Sequence, residues 1–295
     1  MIPVVVGSNP IGHPIPSAAS RAQKWRALGR EHYAGAAAAF AAIARAALEQ
    51  VRLNAAGFAR STDPEFLHQL RVGLRRLRAA LRAFHAVLPR RESRAIVRRL
   101  RKLSPPLGAA RDWDVFCEWL ARHKALGAAP HARRVAARQR ARKAVRSAEF
   151  AQALARVETL SAGPSGDRPL RELARKVLEK AYRRVLKSAK RMDWSDAARR
   201  HKLRIRVKRL RYSCEYFLPA YGPAGAPYVE RLRGLQELLG ELNDVAVARR
   251  LLASLPRTAP RLRQGLARRD SRALTRLPAA WRAFAKAPPF WAPPG

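Results

Sequence analysis

The feature that most constrains this chain is a repeat: His68 to Phe84, HQLRVGLRRLRAALRAF, returns 133 positions later as His201 to Phe217, HKLRIRVKRLRYSCEYF. At about 100° per residue, His68, Arg71, Arg75, Arg78 and Arg82 share one arc of a helix, and Leu70, Leu74, Leu77, Leu81 and Phe84 fill another. In the second copy His201, Arg204, Lys208 and Arg211 take the cationic arc, while Leu203, Val207, Leu210, Cys214 and Phe217 take the apolar one. Glu215, opposite Arg82 in this register, reverses the sign. Like charges at helical spacing repel by a few tenths of a kcal/mol per pair. The same local conflict, built twice behind a leading histidine, points to an anionic ligand rather than to a solvated face.

A second motif also repeats, at an offset of 132: Leu100, Leu103, Leu107, Gly108 and Asp112 become Leu232, Leu235, Leu239, Gly240 and Asp244. The one-residue difference reads as a loop change between helices. The acid that recurs in each half is expected to cap a helix start or to pair with an arginine.

On these motifs, H-x-L-R-V-x-x-R-R-L-R in one half and H-x-L-R-I-x-x-K-R-L-R-Y in the other, the chain resembles the conserved histidine α-helical domain (CHAD) family. The resemblance implies helical modules that bind inorganic polyphosphate, with two bundles related by a pseudo-twofold axis and both arcs lining one basic cavity. It implies polyphosphate contacts from His68, Arg71, Arg75, Arg76, Arg78, Arg82, His201, Arg204, Lys208, Arg209 and Arg211. Lys102 and Arg111 are candidates to extend that basic surface.

Charge agrees with such a partner. There are 61 Lys plus Arg against 21 Asp plus Glu, a formal net charge of +40, and 50 of the cations are arginine, whose fork suits phosphate. A content of 48% hydrophobic residues argues for a folded chain rather than a basic tail. Cys117 and Cys214 stand alone without metal spacing and read as reduced packing residues, as in a cytoplasmic protein.

Along the chain, residues 1–16 read as a leader that is neither a secretory signal nor a membrane span, and 17–286 as one CHAD-like domain. Within it lie a first helical half (17–160), a linker (161–169) and a second half (170–286), followed by a Pro-rich tail (287–295). The first helix is expected to end at Gly57 and the histidine helix to begin at Asp63–Pro64. A break is expected at Pro105–Pro106, and one long basic helix from Pro130 to Leu160. In the second half Ser195 is the expected N-cap of the histidine helix, Pro219 its end, and short helices fill Pro260 to Phe284. No alternating strand pattern is present, so the class is all-α with two related helical-bundle halves.

Enzymatic motifs are missing: there is no phosphate-binding loop, no H-E-x-x-H, no G-x-S-x-G, and no E-x-E of the triphosphate-tunnel domain that accompanies this family. The reading is a non-enzymatic polyphosphate binder, in the cytoplasm and on polyphosphate granules, that needs no cofactor, metal or membrane. The alternative is a nucleic-acid-binding helical protein that uses the same charge. The arcs hold no aromatic or amide residue for bases, and Tyr212 lies just beside the second arc.

Overall fold

Asp63 Oδ1 accepts from the Glu65 amide at 2.8 Å and Pro64 fixes the first turn, so the histidine helix of the first half begins where its sequence places it. The computed structural model describes residues 21–25, 28–163, 168–255 and 260–292, and every regular element among them is helical. The first half holds α1 (Ala36–Arg60), α2 (Pro64–Ala83), α3 (Arg90–Lys102), α4 (Ser104–Arg122), α5 (Ala128–Val145) and α6 (Ala148–Ala162). In the second lie α7 (Leu170–Ala189), α8 (Ala197–Tyr221), α9 (Ala226–Ala253) and α10 (Pro260–Ala285).

Several boundaries differ from the sequence reading, each for a local reason. Gly57 does not end α1. A Cβ there would lie 2.1 Å from the Phe66 ring, so the glycine serves close packing against α2 while the helix runs on to Arg60. Pro105 and Pro106 start α4 instead of breaking a helix, because the first turn has no use for their missing N–H groups. The expected long basic helix is two helices, α5 and α6, divided at Ser147, which accepts from the Phe150 amide at 3.2 Å. Asp196, not Ser195, caps α8, accepting from the Ala198 and Arg199 amides at 2.8 and 3.0 Å. Pro219 lies inside α8, which stops at Gly222 (φ 85°), and Pro278 lies inside a single long α10.

Corresponding helices of the two halves meet: α2 packs on α8 and α4 on α9, while α1 backs α2 and α7 backs α8. One apolar core runs through both halves. Phe84 and Phe217, equivalent in the repeat, touch with ring centroids 5.0 Å apart. The leader at 1–16 and the middle of the linker at 164–167 lie outside the described residues, and Ser161 and Ala162 belong to the last turn of α6. The stretch expected to be a tail is packed as far as it is described: Trp291 is buried among Tyr182, Tyr228 and Phe290.

Cys117 and Cys214 are buried and unpaired. Among the described residues no helix is long and apolar enough to cross a membrane.

Candidate functional site

The apolar arcs of α2 and α8 are sunk in the core, with Leu70, Leu77, Leu203, Val207 and Leu210 at 0% exposure. A helix that buries one side so completely fixes the direction of the other. The two cationic arcs therefore turn into the same space, a cavity of about 740 Å³ between the halves. His68, Arg71 and Arg75 come from α2, and His201, Arg204, Lys208 and Arg211 from α8. The repeated second motif supplies the adjoining wall: Gly108, Arg111 and Asp112 from α4, with Gly240, Asn243 and Asp244 from α9. Gly108 leaves room for a guanidinium, since a Cβ there would stand 3.1 Å from Arg71 Nη1.

Crowded and partly withdrawn from water, Lys208, Arg71 and Arg204 lose part of their hold on their protons. Burial, then Arg75 and Arg204, lowers the Lys208 ammonium to about 6. Burial and Arg75 bring Arg71 down to about 10, and burial also lowers Arg204. The Nε atoms of Arg75 and Arg204 are buried without a hydrogen-bond partner. Such donors cost roughly 1–3 kcal/mol each, which an anion accepting from them would offset.

The two histidines occupy equivalent places but different surroundings. His68 is half-buried, and burial followed by the charge of Arg111 pushes it down to about 4. His201 is exposed, and its Nδ1 donates to Asn243 Oδ1 at 3.1 Å. Arg111 and Asn243 are themselves equivalent, each preceding the repeated aspartate. One histidine thus faces a cation and the other an amide.

The repeated aspartates cap nothing, since both sit well inside their helices. Asp112 Oδ2 accepts from Arg250 Nη2 at 3.3 Å, which ties α4 to α9. Burial holds its carboxyl above the ordinary range against the pull of Arg71 and Arg250. The neighbouring Asp114 is structural. Fully buried, it accepts from Arg134 Nε and Arg138 Nη1 at 2.8 Å each, and Arg138 and Arg142 both donate to the Ser61 carbonyl at the end of α1.

Arg76 is a correction to the sequence reading. It follows Arg75 by about 100° of helix and points into the seam, not the cavity. Its Nη1 lies 2.9 Å from Glu215 Oε2, its guanidinium stacks over Trp25 at 4.4 Å and Tyr212 at 5.2 Å, and its carbonyl accepts from Tyr216 Oη at 2.9 Å. Glu215 also accepts from Arg211 one turn back along α8. The sign reversal against Arg82 is explained by this seam contact. Arg78, Arg82, Arg209 and Lys102 likewise stay off the cavity wall. Arg78 Nη1 donates to Ser104 Oγ at 3.0 Å, Lys102 is exposed at the end of α3, and Arg82 and Arg209 face outward.

Residues that the sequence reading did not single out include Gln236, which accepts from Arg211 Nε at 2.7 Å, and Asn243. Both lie on the α9 stripe through Gly240, at three- and four-residue steps, so extending the second motif by helical spacing would have found them. Tyr212 lines the cavity, but its two neighbours Arg76 and Arg211 stack on its ring at 5.2 and 4.8 Å. No cluster of three or more His, Cys, Asp or Glu suited to a metal ion is present among the described residues.

The family model described as the CHAD domain matches residues 42–253. The crystal structure of the CHAD domain from the plant Ricinus communis is 29% identical, covers 92% of this chain and 98% of its own, and superposes with a TM-score of 0.73. PptA from Streptomyces chartreusis shares the fold at 20% identity and a TM-score of 0.61, over 86% of this chain and 99% of its own. No curated protein matches the sequence.

Proposed function

We propose that this chain, which belongs to the CHAD domain family, is a non-catalytic binder of inorganic polyphosphate. The observation that carries the reading is the convergence of two repeated cationic arcs on one cavity between the halves. A flexible anion that presents oxygens in every direction suits arginines arriving from two opposed helices.

Nucleic acid fits the same charge less well. Base recognition calls for open aromatic faces or amides aimed at base edges. Here Tyr212 is flanked by two guanidinium groups, the wall residues Phe116 and Trp119 are 2% and 7% exposed, and Gln236 and Asn243 are engaged with Arg211 and His201. Hydrolytic chemistry at the histidines would call for a general acid or base beside the phosphate. His201 has an amide for its partner, and His68 sits against Arg111. Under this reading the protein gathers on polyphosphate granules in the cytoplasm.

The test is competition at near-physiological salt between long-chain polyphosphate and duplex or single-stranded nucleic acid, which share the salt dependence. Polyphosphate should displace nucleic acid at lower phosphate concentration. Preference for nucleic acid would overturn the proposal.

A further inference from the structure

The segment before α1 is tied to the cavity without lining it. Asn54, fully buried on α1, grips that segment by its backbone: its Oδ1 accepts from the Gln23 amide at 3.1 Å and its Nδ2 donates to the Gln23 carbonyl at 2.9 Å. Two residues on, the Trp25 ring lies 4.4 Å from the Arg76 guanidinium and 6.5 Å from the Tyr216 ring. Gln23 and Trp25 both stand outside the stretch 42–253 that carries the family match.

From Trp25 a line of contacts runs to the cavity wall. Arg76 is 7% exposed, and a guanidinium so far withdrawn from water needs a counter-charge. Glu215 Oε2 provides it at 2.9 Å, while Oε1 of the same carboxylate accepts from Arg211 Nη1. Gln236 Oε1 accepts from Arg211 Nε at 2.7 Å. Held at two points, the Arg211 guanidinium is fixed in orientation, and its Nη2 has no protein acceptor among the described residues. Arg75 and Arg204 lack such a hold, since their Nε atoms are buried without a partner. The Tyr212 ring contacts both guanidinium groups of the line, at 5.2 Å from Arg76 and 4.8 Å from Arg211.

We infer that Trp25 and Glu215 are positioning residues for Arg211, holding it ready for a phosphate oxygen although neither lines the cavity. The inference rests on the polyphosphate reading above and adds to its site a residue from outside the helical repeat. A side chain fixed before binding has less freedom to lose when the anion arrives. The sign of one effect separates this role from charge counting. By charge alone, removing an acid near an anion site should tighten binding, whereas loss of the hold on Arg211 should weaken it.

The experiment is calorimetry with long-chain polyphosphate on Trp25→Ala, Trp25→Phe and Glu215→Gln, each alone and combined with Arg211→Ala. Trp25→Ala and Glu215→Gln should each lose about fivefold in affinity, the scale of immobilising one long side chain. Trp25→Phe keeps a ring over Arg76 and should stay within about twofold of the wild type. In the Arg211→Ala background the two losses should vanish, because residues that act through one another are not additive. Losses that persist undiminished without Arg211 would overturn the inference, and so would tighter binding by Glu215→Gln. Should Glu215→Gln fail to fold, the cycle between Trp25 and Arg211 decides alone, since Trp25 is only partly buried. A wild type that binds no polyphosphate would refute the functional reading itself, and the positioning role with it.

Discussion

Phe84, which caps α2, and Phe217 of α8 hold the same place in the two repeats, and their tilted rings meet with centroids 5.0 Å apart, both at 0% exposure. The contact belongs to the one apolar core that runs through both halves, so they are expected to unfold together. Phe217→Ala should cost about 3–5 kcal/mol and keep a single unfolding transition, as read by urea denaturation. Two separate transitions, or a loss under about 1 kcal/mol, would show that the halves are stabilised independently. A fragment ending near Gly163 lacks Phe217 together with Arg204, Lys208 and Arg211, and should bind polyphosphate far more weakly than the whole chain.

Lys208 works against stability in order to serve the site. Its folded value of about 6 lies below the ordinary lysine range, so between there and about 10.4 the unfolded chain binds more protons. This group's contribution to stability therefore rises with pH across that window. Lys208→Met should raise the melting temperature by a few degrees at pH 7, with the gain shrinking toward pH 10, and should weaken polyphosphate binding. A melting temperature that falls at pH 7 would contradict this account.

Binding should take up protons. In the free protein at pH 7, His68 (about 4) is neutral and Lys208 (about 6) mostly so, and a bound polyanion favours the charged form of both. Affinity should then rise as pH falls from about 8 to 6. Calorimetry in buffers of different ionisation enthalpy would measure the uptake directly. It should drop sharply in His68→Gln with Lys208→Met, and equal uptake in wild type and variant would count against these two groups.

Asp114 and Asp112 are two residues apart and should behave differently. Asp114→Asn leaves Arg134 and Arg138 without their buried partner, and should destabilise by about 3–5 kcal/mol while polyphosphate affinity stays within about twofold. Asp112 pairs with a largely exposed Arg250, so Asp112→Asn should change stability by under about 1 kcal/mol. Because it removes a negative charge from the cavity wall, the variant should bind polyphosphate more tightly. Titration of both variants, with denaturation curves alongside, separates the two roles.

The helical class and the cationic faces of α2 and α8 were legible because a helix with one wholly apolar arc has a single direction left for its charge. Spacing alone put His68, Arg71, Arg75, Arg204 and Lys208 on those faces, whereas their meeting in one cavity was implied only by the family resemblance. Arg76 was misplaced for a physical reason. A motif that writes two cations in a row cannot say which of them faces the ligand, and the answer depended on Glu215 and Trp25, 139 and 51 positions away. Helix ends at glycine and proline were misread where tertiary packing used them differently, as at Gly57 against Phe66 and Pro219 within α8. The unequal settings of the two histidines lay hidden in the exchange of Arg111 for Asn243, whose meaning appears only when α4 and α9 are set beside α2 and α8.

Trp291 donates from Nε1 to Glu179 Oε2 at 3.3 Å, a link across 112 residues that presses the end of the described chain against the first helix of the second half. Contacts so distant in sequence form late, because loop closure must precede them. During synthesis α7 and α8 therefore emerge before their last cover arrives, each with an apolar face exposed. The first half is not spared this wait, since Arg76 has no carboxylate until Glu215 is made. Both arcs would thus be translated before the seam between them closes, so that an anion meeting the growing chain could find the cationic helices before the cavity has its final shape.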